Sequence, residues 1–310
     1  MDEHREKVIE IRGLEVEYQT NAGKHIRAVS GLDLEVYKGE VVGFIGPNGA
    51  GKSTTIKVLL GFRRPTKGSA LIFDRPAGGL DSRRRIGFLP EVALYYPFLT
   101  ARETLLMFAT LREVPKADRA PMVEDLLRKV GLKGRENEPV RNFSKGMLQR
   151  VGIAQAIMGE PELLILDEVT SGLDPVARYD VRSILLDFKA KGKTVFFSSH
   201  ELSEVTMLCD RVILIDEGKL LVEDRIDRLA NSIRRHAVCL ESRPLPHSLP
   251  EGAFVQSVNN GTTTIIAGDK QVLAQVEEML REMNAKIVDV REEAGTLEDF
   301  FVHKIGHKVS

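Results

Sequence analysis

Eight consecutive residues, Gly46-Pro47-Asn48-Gly49-Ala50-Gly51-Lys52-Ser53, constrain this fold more than any other stretch of the chain. They follow the spacing Gly-x-x-x-x-Gly-Lys-Ser, which suits a phosphate-binding loop. Glycines let the backbone turn its N–H groups inward around a compact anion. A helix starting at the loop's end adds free N–H donors and the positive end of its dipole. Lys52 would set an ammonium on the outer phosphates of a nucleoside triphosphate, and the Ser53 hydroxyl would bind Mg²⁺. The context agrees. Val41-Val42-Gly43-Phe44-Ile45 is a short apolar run, as a buried parallel strand needs. Thr54 to Leu60 suits a helix with Ile56, Leu59 and Leu60 on one face. Gly46 through Thr54 are therefore candidate nucleotide-binding residues.

A second strong signal is Leu163-Leu164-Ile165-Leu166-Asp167-Glu168. A buried strand ending in two acids places both at the carboxyl edge of a parallel sheet, where ligands bind in open α/β folds. Asp167 is positioned to hold Mg²⁺ through water. Glu168 can polarise a water toward a γ-phosphate.

Charge narrows the partners. The 44 basic and 45 acidic residues nearly cancel, and no long run of one sign appears. No nucleic-acid partner is expected on that balance. Arg83-Arg84-Arg85 is the densest basic cluster and reads as a solvated edge before a strand. Cys209 and Cys239 are the only cysteines, form no Cys-x-x-Cys pair, and fit buried thiols in a reducing compartment. The charged start, Met1 to Lys7, does not suit a signal peptide. No apolar stretch approaches the roughly 18 residues that span a bilayer. The expectation is a chain soluble by itself, reaching a membrane only through a partner.

The rest of the pattern predicts an α/β core with insertions. Leu14, Val16 and Tyr18, and then Leu32, Leu34 and Val36, alternate with polar residues, as antiparallel strands with one wet face do. A turn-like break, Thr20 to Lys24, separates them. Short strands follow near Ala70–Phe73 and Ile86–Leu89. From about 95 to 160 the pattern is helical. Thr100-Ala101-Arg102-Glu103 has the form of a capping box, Met122 to Val130 reads as a second helix, and Ser144 opens a third that runs to Met158. A helix over Pro175–Ala190, a strand at Val195–Phe197 and a hairpin around Glu217-Gly218 complete the core. The charged stretch Asp224 to Arg235 reads as a helix and linker, with the linker placed at 226–234. Residues 235–310 read as a small α+β accessory domain, interrupted by Pro244, Pro246 and Pro250, with a turn at Asn259-Asn260-Gly261 and no catalytic constellation.

Taken together with five further segments, the chain resembles the nucleotide-binding subunit of an ABC transporter over about residues 8 to 222. Ser144-Lys145-Gly146-Met147 stands where that family has its signature sequence. Ser171-Gly172-Leu173-Asp174 matches the loop after the catalytic acid, and His200 matches the switch histidine. Tyr18 sits where an aromatic ring stacks on adenine, and Leu89-Pro90-Glu91 where a glutamine loop is usual.

The resemblance implies a phosphate-loop ATPase core with an antiparallel β subdomain and an inserted helical subdomain. It implies ATP and Mg²⁺ as ligands, with Glu168, His200 and Lys52 catalytic and Ser53 and Asp167 on the metal. Ser144, Lys145 and Gly146 would contact the γ-phosphate of nucleotide held by a second subunit, in a homodimer or a heterodimer. Asp174 and Glu91 would serve the dimer and the coupling to a separate integral membrane permease, at the cytoplasmic face of the cell membrane. Two departures matter. Glu91 replaces glutamine and so could ligate the metal. Met147 cannot supply an amide's hydrogen bonds. Lys-Gly-Met signatures, glutamate loops and a tail such as Thr296–Phe301 resemble the exporter and drug-resistance branch. The rival expectation is a soluble ABC ATPase with a ribosome-associated, nucleic-acid-associated, assembly or regulatory role.

Overall fold

The structure, a computed structural model, describes residues 5–19, 23, 25–170, 173–232, 234–241, 249–250, 252–259 and 262–294. The turn at Thr20–Lys24 falls mostly outside them. So do Ser171, Gly172, Pro244, Pro246, the Asn260-Gly261 turn and the Thr296–Phe301 tail. The chain divides into two compact units, Met1–Asp224 and Arg225–Ser310.

In chain order the first unit opens with β1 (Lys7–Gln19), β2 (His25–Tyr37), β3 (Val41–Ile45), α1 (Lys52–Leu59), β4 (Lys67–Ile72) and β5 (Arg75–Pro76). Next come α2 (Leu80–Arg85), β6 (Ile86–Leu89), α3 (Ala101–Leu111), α4 (Lys116–Lys129), α5 (Lys145–Ile157) and β7 (Leu163–Asp167). It closes with α6 (Pro175–Ala190), β8 (Thr194–Ser199), α7 (Leu202–Leu208), β9 (Arg211–Asp216) and β10 (Lys219–Arg225).

Two sheets organise this unit. One has the order β10-β9-β3-β8-β7-β6. Its neighbours from β9 to β6 run parallel. Every residue of β3, β7 and β8 is buried, which is why these strands read as unbroken apolar runs. The other sheet, β2-β1-β4-β5, is antiparallel. There Leu14, Val16, Leu32, Leu34 and Val36 point inward, as their alternation requires. A single hydrophobic cluster joins both sheets to Ile56, Val58 and Leu59 of α1, fixing the loop before α1 between them.

The helical insertion is α3 to α5. Thr100 and Glu103 form the capping box that starts α3. The second helix begins earlier than its apolar stripe indicates. α4 starts at Lys116 and runs through Pro121. The arginine cluster also has more structure than a solvated edge. Arg83–Arg85 close α2, and Arg85 forks onto Glu162 at 2.6 and 2.8 Å with its guanidinium over the Phe73 ring. Both cysteines are free thiols.

The second unit contains α8 (Ile226–Ser232), β11 (Arg234–Glu241), β12 (Ala253–Asn259), β13 (Thr262–Ala267), α9 (Lys270–Glu282) and β14 (Ile287–Ala294). Its antiparallel sheet, β12-β13-β11-β14, packs Val238, Leu240, Ile265 and Ala267 against Val276 and Leu280 of α9. The helix expected in the charged stretch around 226–234 is present as α8, and β11 begins at its end. Leu229 is 4% exposed, so this helix has an apolar side to bury. Among the described residues no helix is long and apolar enough to cross a membrane.

Candidate functional site

The phosphate loop joins β3 to α1, and two of its glycines are there for close approach. A Cβ at Gly46 would lie 2.2 Å from the Ile215 carbonyl oxygen, and one at Gly51 would lie 2.5 Å from that of Ala28. Gly51 also has φ +106°, a left-handed backbone that a side chain would strain. It stands at the cap of α1, where the first N–H groups of the helix lack intrahelical acceptors. Around this loop is a cavity of about 460 Å³ lined by Ala28, Asn48, Gly49, Ala50, Gly51, Lys52, Ser53, Thr54, Glu91, Glu168 and His200. The elements thus bring Glu91, Glu168 and His200, distant in sequence, onto one wall with the loop.

The charged groups on that wall are ordered by one another. Lys52 Nζ donates to the carbonyl oxygens of Gly46 at 2.6 Å and Pro47 at 3.3 Å, and lies 3.4 Å from Glu168 Oε1. Glu168 Oε2 is 2.6 Å from His200 Nδ1. Lys52 and Glu168 are both buried, whereas the His200 side chain is 46% exposed. Glu168 has φ +52°, rare for a side-chain-bearing residue, and this left-handed turn takes the chain sharply off β7. Its N–H is held by the Ser198 hydroxyl at 3.0 Å and the Ser198 carbonyl at 3.2 Å.

Asp167 sits just behind the wall. It accepts from Ser198 Oγ at 2.6 Å and from Ser53 Oγ at 3.3 Å. Ser198 therefore bridges the two acids, accepting from the N–H of one and donating to the carboxylate of the other. The sequence pattern gave no hint of it, since a serine inside an apolar strand carries no signal apart from its nearness to His200. Ala28, on β2, was equally invisible.

These residues fit Mg²⁺. Ser53 and Asp167 are hard oxygen donors within 3.3 Å of each other, and Mg²⁺ typically takes one or two carboxylates plus substrate phosphates. Among the described residues no group of three or more His, Cys, Asp or Glu could hold a metal without such help.

Other predicted residues stand off the wall. Tyr18 reaches Thr54, hydroxyl to hydroxyl at 3.4 Å, and its ring carries the Arg63 guanidinium 4.5 Å from its centroid. One ring face is thus already engaged. Ser144 caps α5 by accepting from the Met147 N–H at 3.3 Å, and both Ser144 and Lys145 are exposed. Gly146 is half-buried on the same helix. Asp174 caps α6 through the Ala177 N–H at 2.9 Å. Downstream, Gln149 is buried and its amide donates to the Val169 carbonyl at 2.8 Å, tying α5 to the segment after Glu168.

A glycine-rich loop between β3 and a helix, with two acids at the end of β7, which lies beyond β8 in the same sheet, defines an ATPase of the phosphate-loop α/β class. Residues 29–171 match the family model described as ABC transporter. An uncharacterized ABC transporter ATP-binding protein of Nostoc is 44% identical over 219 residues, covering 69% of this chain and 65% of the relative. A fluoroquinolones export ATP-binding protein of Mycobacterium tuberculosis is 36% identical over 306 residues, covering 98% of this chain and 95% of the relative. Among solved structures, a dimeric ATP-binding cassette in a post-hydrolysis state, bound to ADP and Pi, matches with TM-score 0.65 and 25% identity. That match covers 70% of this chain and 98% of the other. The chain belongs to the ABC transporter ATP-binding family. It binds and hydrolyses ATP as a transporter's energy-supplying subunit.

Proposed function

We propose that this chain hydrolyses Mg-ATP at a site shared between two copies and so drives export through a separate integral membrane permease. The supporting observation is the make-up of the cavity wall. It contains a cation, Lys52, a buried carboxylate, Glu168, and an imidazole, His200, yet draws nothing from the start of α5. Ser144 and Lys145 are exposed at a helix N-terminus, the geometry that suits an anion presented by another molecule.

In this reading Lys52 neutralises the outer phosphates. Glu168 orients the attacking water and accepts its proton, and His200 holds the Glu168 carboxylate in place while its exposed edge reaches the γ-phosphate. Ser53 and Asp167 hold Mg²⁺, which when bound neutralises phosphate charge. Ser144 and Gly146 of the second copy close the site over the γ-phosphate. Hydrolysis removes the contacts that favour the closed pair and shifts the population back to open. About 5 kcal/mol of differential binding moves a pair from mostly open to mostly closed.

The permease side is supported by Glu91 and the loop behind it. Val92, Leu94, Tyr96 and Phe98 are 67%, 88%, 57% and 64% exposed, a run of apolar side chains that directly follows Glu91 in the chain. Export, rather than uptake, follows the name of the M. tuberculosis relative that matches nearly the whole chain. Purification of the chain from solubilised membranes tests the reading. Recovery with an integral membrane protein supports it, and recovery with ribosomes or alone contradicts it.

A further inference from the structure

The loop that carries Asp174 and the segment that carries His200 are joined by one side chain. Arg178, in the first turns of α6, donates from Nε to the Leu173 carbonyl at 3.0 Å. Its Nη1 pairs closely with Glu201 Oε2. Glu201 follows His200 directly, and its own N–H is fixed by the Ser199 hydroxyl at 2.9 Å. A continuous chain of contacts results: Asp174 beside Leu173, then Arg178, Glu201 and His200, ending at Glu168 2.6 Å from the imidazole.

Beneath this clamp lies Glu204, 3% exposed. Its Oε1 stands 3.9 Å from Arg178 Nη1 and 3.7 Å from Arg182 Nη2, beyond ordinary hydrogen-bond range. Its Oε2 and the Arg182 Nε are both buried with no hydrogen-bond partner. Burying such groups half-satisfied is unfavourable for stability. An apolar pair would fill the space between α6 and α7 with less penalty. The charges make sense if their use is positional, holding α6 and α7 at a set separation through long-range attraction rather than tight bonds.

We infer that Arg178 is a positioning residue: it couples the Asp174 loop to the His200 segment, so that the nucleotide-sensing imidazole and the loop before α6 move together. The inference rests on the ATPase reading of Glu168 and His200 but adds a residue to it. The guanidinium is suited to the task because its planar fork offers separate donors to a carbonyl and a carboxylate. A lysine carries all its donors on one nitrogen, so it cannot hold the Leu173 carbonyl and the Glu201 carboxylate from two separate nitrogens as Arg178 does.

The test is steady-state ATP hydrolysis by the full chain with Arg178→Ala, Arg178→Lys, Glu201→Gln and the double variant Arg178→Ala with Glu201→Gln. Loss of alignment lowers kcat by about tenfold or more for Arg178→Ala while KM for ATP moves less than about twofold. Arg178→Lys falls between the two. The double variant is no slower than the worse single variant, because both remove one link. The inference is overturned if kcat is unchanged in Arg178→Lys, if the single losses multiply in the double variant, or if KM rises in step with the fall in kcat. Should Arg178→Ala fail to fold, the Arg178→Lys and Glu201→Gln pair carries the same comparison. Absence of hydrolysis by the unaltered chain would instead refute the ATPase reading itself.

Discussion

His200 Nδ1 and Glu168 Oε2 lie 2.6 Å apart, and the two residues come from adjacent strands of the parallel sheet, at the ends of β8 and β7. The contact fixes one oxygen of a buried carboxylate whose other oxygen faces Lys52 at 3.4 Å. Replacing the imidazole leaves Glu168 with Lys52 as its one remaining partner on the wall. His200→Ala should lower kcat by about a hundredfold while ATP binding changes little, the signature of a group that acts in the transition state. Phosphate release measured beside nucleotide binding distinguishes this from loss of binding.

Ser198 should matter as well, to a smaller degree, although it touches no substrate. Its hydroxyl donates to Asp167 and accepts from the Glu168 N–H. Ser198→Ala removes both bonds and leaves a buried N–H with the Ser198 carbonyl alone. The expected outcome is a kcat lower by about tenfold and a stability loss of about 1–2 kcal/mol. Urea unfolding and ATPase assays on one preparation check both.

The close approach at Gly51 gives a prediction about binding rather than chemistry. A methyl group there would lie 2.5 Å from the Ala28 carbonyl oxygen at φ +106°. Gly51→Ala should strain the loop by about 1–3 kcal/mol and weaken ATP binding at least tenfold. Nucleotide titration by fluorescence measures it directly. Unchanged affinity would mean the loop adjusts without consequence for the phosphates.

Acid should loosen the antiparallel sheet through Glu35. Burial alone would raise its carboxyl, but hydrogen bonds from Lys7 and Tyr37 and the charges of Lys7 and Arg12 outweigh it and push it down to about 2 from 4.5. A carboxyl lowered on folding stabilises above its unfolded value and loses that contribution as the pH falls toward the folded one. Stability from this group is therefore full above about pH 5 and declines down to about pH 2. Glu35→Gln should flatten that part of the acid limb in thermal melts recorded across the range, while leaving the neutral plateau lower.

Much of the core and the phosphate loop was legible because each rests on local chemistry. The runs Val41–Ile45 and Leu163–Leu166 are buried on both faces, so they carry no polar interruptions. The capping box at Thr100 and Glu103 declares its own helix start. What escaped is what the local pattern contradicts. β11 opens with Arg234-Arg235-His236, a charged start that carries no strand pattern, yet the strand forms because β13 and β14 flank it on both sides. α4 starts before its proline because Val123, Leu126 and Leu127 are buried further along and the first turns merely extend that helix. Ser198 and Arg178 escaped because their partners lie far away or across a turn, and only the fold joins them.

The central claim is that ATP bridges two copies of this chain, with Ser144 of one facing the phosphate loop of the other. Glu168→Gln keeps the site's shape while removing the proton acceptor, so bound ATP should persist. Light scattering of Glu168→Gln in saturating Mg-ATP should give twice the monomer mass. The added Ser144→Arg change, which places a bulky side chain at the helix start, should return it to the monomer mass. A Glu168→Gln protein that binds ATP and stays monomeric would contradict the shared site.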